Sequence, residues 1–231
     1  LIALATDPAH GRRGRFRIAA LASGRGSNLQ ALIDAIADGT LDAELAGVFS
    51  DRADAPALAR ARAAGAEAIA VNPRDFPNRL AYDAAFFDRV DAVQPDLVVC
   101  AGYMRLISAP AVEARAGLMV NIHPSLLPQF KGLHTHRRAL EAGALQHGAS
   151  VHYVTADLDG GPVISQARVP VLPGDDEQAL AARVLAREHP LLVETVRWLA
   201  AGRVQLKEHC VHVDGAPLAA PLQLGSNNRF A

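Results

Sequence analysis

A mostly parallel, Rossmann-like α/β sheet with flanking helices, carrying antiparallel strands in its C-terminal part, is what this 231-residue chain predicts. Short apolar runs alternate with longer stretches of helical spacing from Arg17 to about Ile122, the pattern of a parallel sheet with crossover helices. Two adjacent strand-like runs then follow without a helix between them, as in an antiparallel pair. A glycine-rich turn sits where the first strand gives way to the first helix, the usual ligand-facing position in such folds.

Residues 18–22 are the first apolar strand, and in 28–37 Leu29, Leu32, Ile33 and Ile36 recur at helical spacing. Residues 44–50 read as strand, the alanine-rich 55–64 as helix, 66–71 as strand and 78–92 as helix. Residues 96–102 are apolar on both faces, as a central parallel strand should be. Another strand covers 118–122, and the proline-rich 123–132 cannot form regular structure. Residues 150–155 and 163–171 are the antiparallel pair, joined through 156–162. A long helix over about 176–201 begins with acidic residues that suit its dipole, and Pro190 is expected to kink it. Short strand and coil follow Arg203. With no repeat, low-complexity stretch or clean linker, a single domain over 16–215 is expected. Residues 1–15 form a Gly/Arg/Pro-containing leader and 216–231 a tail, neither with an assigned function.

Half of the residues are apolar, 20% are charged, and 23 basic side chains face 24 acidic ones for a net charge of −1. That balance offers no field for a polyanion such as tRNA or DNA, so no nucleic-acid partner is expected, while a single small anion remains compatible. Two cysteines, Cys100 and Cys210, stand far apart without a CxxC, which suits a reducing cytoplasm rather than a disulfide framework. No apolar run reaches membrane-spanning length. Arg12, Arg13, Arg15 and Arg17 read as a solvated arm.

Two loops carry chemistry. Ser23-Gly-Arg-Gly-Ser-Asn28 opens the first helix, where backbone N–H groups and the helix dipole favour an anion. Leu29 stands where a dinucleotide fingerprint needs its third glycine, so one phosphate fits better than a pyrophosphate. In Asn121-Ile-His-Pro-Ser-Leu-Leu-Pro128, Asn121 and His123 are two apart on an extended backbone and share a face. An amide beside an imidazole can stabilise an oxyanion and deliver a proton. A carboxylate from the Gly-rich loop near residue 160 would favour charged His123; Asp159 and Asp157 both qualify, and spacing does not choose between them.

These two loops, with Gly132-Leu-His-Thr-His136 and Leu158-Asp-Gly-Gly-Pro162, resemble the formyl-folate transferase family in its phosphoribosylglycinamide formyltransferase branch. The resemblance runs in order from about Phe16 to Gly215. It implies formyl transfer from 10-formyltetrahydrofolate, as co-substrate, to 5-phosphoribosylglycinamide in purine synthesis. It further implies Asn121, His123 and Asp159 as catalytic residues, Gly26, Ser27 and Asn28 as the phosphate loop, and Glu188 as the ribose ligand. Around the folate it implies Arg79, Met104, Arg105, Leu106 and Ile107, with Thr155, Ala156, Asp157 and Leu158. No metal is implied, and monomer and homodimer both remain open.

Other features carry less. His123, His134, His136 and His152 with the two aspartates lack the spacing of a metal motif. His134 and His136 read as loop packing or substrate-side contacts, His152 as packing or support from a strand, and Ser125 as a hydrogen-bonding loop residue. No serine sits in Gly-x-Ser-x-Gly, and Trp198 falls on the apolar stripe of the long helix. Rival readings are a formyltetrahydrofolate hydrolase, for which the leader is short of the usual regulatory domain, and a methionyl-tRNA formyltransferase, which carries a tRNA-binding domain. A non-catalytic phosphate- or nucleotide-binding module has no use for the Asn121, His123 and Asp159 set.

Overall fold

The structure, a computed structural model, describes residues 14–230. Arg12, Arg13 and the rest of the expected leader up to residue 13 lie outside the described residues. The chain runs β1 (Phe16–Leu21), α1 (Ser27–Ala37), β2 (Ala43–Ser50), α2 (Pro56–Ala63), β3 (Ala68–Ala70), α3 (Arg79–Ala92), β4 (Leu97–Cys100), α4 (Ala109–Glu113) and β5 (Met119–His123). It continues with α5 (Thr135–Glu141), β6 (Gln146–Tyr153), β7 (Val163–Pro170), α6 (Glu177–Ala200), β8 (Val204–Lys207), β9 (Cys210–Val213), β10 (Ala216–Pro217) and β11 (Leu222–Gln223).

The main sheet has the order β11-β7-β6-β5-β4-β1-β2-β3, and β8, β9 and β10 form a small second sheet. Strands β1 to β5 pair in parallel, whereas β6 runs antiparallel to both β5 and β7. The parallel half winds one way from β1 to β2 and the other way to β4, so their C-terminal ends border a switch point where ligands bind in open α/β sheets.

Alternation along β1 divides the core. Ile18 and Ala20 face a cluster with Leu29 and Leu32 of α1, Leu58 of α2 and Leu191 of α6. Ala19 and Leu21 face Tyr82, Phe86, Phe87 and Val90 of α3 together with Met119. Each of the fully buried large side chains contributes roughly 1.5–3 kcal/mol. Among the described residues no helix is long and apolar enough to cross a membrane.

Helix α6 is continuous from Glu177 to Ala200 with Pro190 inside it, and Leu180 and Val184 before the proline and Leu191, Leu192 and Val196 after it are all buried. Other features differ from the sequence expectations. Strand β6 begins four residues earlier than expected, at Gln146. The short helices α4 and α5 were not foreseen, being five and seven residues long and thus too brief for a periodic signal. The tail is docked: β11 pairs with β7, Arg187 donates to the Gly225 carbonyl at 2.7 Å, and buried Glu194 accepts from Arg229 at 2.8 Å.

Candidate active site

The turn from β1 into α1 offers backbone donors. Gly26 caps α1 in the left-handed conformation, φ 72°, and no side chain caps the helix. By contrast Asn78 caps α3 and Asp176 caps α6. The first-turn N–H groups of α1 are therefore left for an external acceptor. A Cβ on Gly26 would stand 2.8 Å from Ala57 Cβ, so both the backbone angle and the approach of α2 demand glycine. The neighbouring strand end is tied in, since Ser23 Oγ accepts from Met104 N at 2.9 Å. Across the helix layer, Asn28 Nδ2 donates to Glu188 Oε2 at 2.9 Å, and burial raises the Glu188 carboxyl against the lowering effect of that bond.

The end of β5 offers side chains instead. Asn121 and His123 share one face, and β6 places His152 directly opposite Asn121. Asn121 Nδ2 lies 3.1 Å from His152 Nε2, while His152 Nδ1 lies 2.9 Å from the Tyr153 carbonyl. The carbonyl can only accept, so Nδ1 carries the proton and Nε2 accepts from the Asn121 amide. Burial pushes His152 below the usual histidine range, ahead of the opposing pulls of the Tyr153 carbonyl and Asp159, which keeps it in that neutral form. The second amide hydrogen of Asn121 is then available to a ligand.

His123 Nδ1 stands 3.4 Å from Asp159 Oδ2 and Nε2 stands 3.1 Å from the Phe130 carbonyl. Asp159 also accepts from Gly132 N at 2.8 Å and faces His152 Nε2 at 3.7 Å. The proline-rich loop that presents Phe130 is nailed down by Ser125 Oγ donating to the Gln129 carbonyl at 2.6 Å and Ser150 Oγ donating to the Ser125 carbonyl at 2.7 Å. Asp159 reaches inward from a left-handed backbone, φ 45°. The turn closes against β6 so tightly that a Cβ on Gly161 would sit 1.9 Å from the Tyr153 carbonyl oxygen. Of the two candidate aspartates, Asp159 is the one that meets His123; Asp157 is exposed and accepts from Gly160 N at 3.0 Å in the turn.

Beside Asn121 and Asp159 a cleft opens, lined by Arg105, Leu106, Ile107, Thr155, Ala156, Asp157 and Leu158. Two of the predicted folate positions do not line it. Arg79 is exposed at the start of α3, and Met104 is 66% exposed, its backbone rather than its side chain being held at the site. Sequence reasoning missed Cys100, Tyr103, Val112 and Val154, which also line the cleft and carried no signal beyond being apolar or aromatic. Burial raises the Cys100 thiol to about 12, so it serves as an inert wall. Among the described residues no three His, Cys, Asp or Glu side chains are grouped to hold a metal ion. His136 instead packs edge-on against buried His147, with ring centres 5.2 Å apart.

Comparison with known proteins bears on this site. The profile of the family described as formyl transferase matches residues 16–196. The chain is 48% identical over 203 residues to the phosphoribosylglycinamide formyltransferase of Escherichia coli (strain K12), covering 88% of this chain and 96% of that one. Among solved structures it superposes on the phosphoribosylglycinamide formyltransferase of Coxiella burnetii, in complex with CHES, with a TM-score of 0.85, 46% identity and coverage of 88% and 96%. A formyltetrahydrofolate deformylase from Pseudomonas syringae pv. tomato is more distant, with a TM-score of 0.77 and 28% identity, covering 87% of this chain and 66% of that one.

Proposed function

Because the chain belongs to the formyl transferase family, we propose that its cleft joins 10-formyltetrahydrofolate to the amine of 5-phosphoribosylglycinamide. The chain is a formyltransferase of purine biosynthesis, in line with relatives of that name at 40–48% identity. The finer assignment rests on one observation: Asn121, His123 and Asp159 converge at the mouth of a cleft on the C-terminal edge of the sheet.

In this reading the amine attacks the formyl carbon, forming a C–N bond and a tetrahedral oxyanion. Asn121 donates its free amide hydrogen to that oxygen, and the His123 Nε2–H, exchanging the Phe130 carbonyl for the substrate, donates a second hydrogen bond. Asp159 on Nδ1 fixes the orientation of the ring, so that Nε2 points to the Phe130 carbonyl until the substrate takes its place. A water ordered by Asp159 carries the proton from the attacking nitrogen toward N10 of the folate as that bond breaks, leaving tetrahydrofolate and the formylated amine. The reading uses neither a metal nor a covalent enzyme intermediate.

The first turn of α1, with Gly26, Ser27 and Asn28, receives the phosphate, and Glu188 receives the ribose. Arg105, Leu106, Ile107 and residues 155–158 hold the folate, while Arg79 and Met104 stay outside the cleft that supports this assignment. Free Cys100 and Cys210 fit a reducing cytoplasm as the place of work.

The experiment follows folate deformylation by absorbance, with and without the ribonucleotide. Turnover that depends on the ribonucleotide is expected. Rapid formate release indifferent to it would overturn the transferase reading in favour of hydrolysis, the reaction named for the deformylase whose fold this chain shares.

A further inference from the structure

Helix α2 touches the turn of residues 24–28 at three points. Ala57 N donates to the Gly24 carbonyl at 3.2 Å, and Ala57 packs where a Gly26 Cβ would be. Arg60 makes the third contact from one turn further along. Its Nε donates to the Arg25 carbonyl at 2.8 Å and its Nη1 donates to Gln30 Oε1 at 2.8 Å. One planar guanidinium thus bridges the turn and the first coils of α1, on either side of the N–H groups that the phosphate would meet. The hold on α1 is extended by Gln30 itself, whose Nε2 donates to Asp34 Oδ1 at 2.7 Å.

Arg52, Arg183 and Arg203 lie against the carboxylates of Asp54, Asp175 and Asp214, whereas Arg168 and Arg187, like Arg60, meet only neutral oxygens; what sets Arg60 apart is its place against the turn of residues 24–28. Arg60 is bound by a carbonyl and an amide oxygen, both neutral, and among the described residues no carboxylate pairs with it. Its positive charge therefore remains uncompensated beside a turn whose uncapped N–H groups already favour an anion.

We infer that Arg60 is a positioning residue for the phosphoryl group: it braces the turn of residues 24–28 against α1 and supplies an un-neutralised positive charge beside it. The inference rests on the phosphate-loop reading above. The same fork geometry explains why lysine is a poor substitute, since an ammonium keeps the charge but cannot hold two oxygens in one plane.

The test compares wild type, Arg60→Lys and Arg60→Met in steady-state kinetics, varying the ribonucleotide and the formyl folate separately, with inorganic phosphate as a competitive inhibitor. For Arg60→Met, a rise of about tenfold in the ribonucleotide KM is expected, the scale of one charge-assisted hydrogen bond. The inhibition constant of phosphate should rise in parallel, with kcat and the folate KM within about twofold of wild type. Arg60→Lys should fall between the two, which a purely structural role would not produce. Equal ribonucleotide KM values in all three proteins would overturn the role of Arg60, and so would a loss of kcat with both KM values raised together. Wild type that neither binds the ribonucleotide nor is inhibited by phosphate would remove the phosphate-loop reading itself, and this inference with it.

Discussion

At the β1–α1 turn the groups offered to a ligand are backbone N–H groups from one short contiguous segment, whereas at the end of β5 they are side chains brought from a strand and a distant turn. The difference decides what each end tolerates. The turn depends on φ and on space, as Gly26 shows with φ 72° and Ala57 Cβ 2.8 Å from where its own Cβ would be; most of the side chains around it could change. The end of β5 depends on which atoms are present, because Asn121, His123, His152 and Asp159 define one another's orientation through contacts of 3.1–3.7 Å.

The sharpest way to break this contrast is Asp159→Asn, which keeps shape and removes charge. Turnover should fall by about 10²–10⁴-fold, the usual range for losing acid–base function, while the ribonucleotide KM changes little; wild-type turnover would remove Asp159 from the mechanism. At the opposite end, Gly26→Val changes no chemistry and only adds bulk. It should raise the ribonucleotide KM by about tenfold or more, given a left-handed strain of roughly 1–2 kcal/mol before the clash with Ala57 is counted. Isothermal titration with the ribonucleotide checks this, and unchanged affinity would refute the steric account.

A subtler change is His152→Phe, which leaves Asn121, His123 and Asp159 in place but frees the Asn121 amide to turn. A fall of about tenfold in kcat at unchanged KM is expected, the value of one well-aligned hydrogen bond; equal kcat would show that Asn121 needs no such partner. The smallest effect concerns stability. Buried His147 is held down to about 4 by desolvation first and then by His136 and His123, with the Pro124 carbonyl opposing. Its folded value lies below the unfolded value near 6.5, so its contribution is fully present above pH 6.5 and is lost as pH falls toward 4. His147→Phe should flatten that part of the melting curve against pH, by a few degrees in Tm. An identical pH profile in the variant would count against His147 as the titrating group.

Much of the sheet was legible because the strands of the parallel half are apolar on both faces and their helices carry a stripe, so residues 18–22, 28–37 and 96–102 declare themselves. The β1–α1 turn was legible for the same local reason, since Gly26 and its neighbours are contiguous. The cluster at the end of β5 was only half legible. Asn121 and His123 share a strand face, but the choice of Asp159 over Asp157 depends on a left-handed backbone at residue 159 that a sequence pattern does not encode. Arg79 and Met104 lie outside the cleft because Arg79 opens α3 on its exposed side and Met104 leaves its side chain in solvent. Arg60 was invisible for another reason: one arginine among 21 stands out only when the fold sets it against the turn of residues 24–28.

Strand β5 has a parallel neighbour on one flank and an antiparallel neighbour on the other, with Asn121 aligned to Cys100 and to His152 at once. Because faces alternate residue by residue, a slip of one position turns Asn121 and His123 away together. Length changes should therefore act as an on–off switch here. A one-residue deletion within residues 119–123 abolishes activity outright, whereas the same deletion in the exposed connection between β7 and α6 is absorbed by the loop.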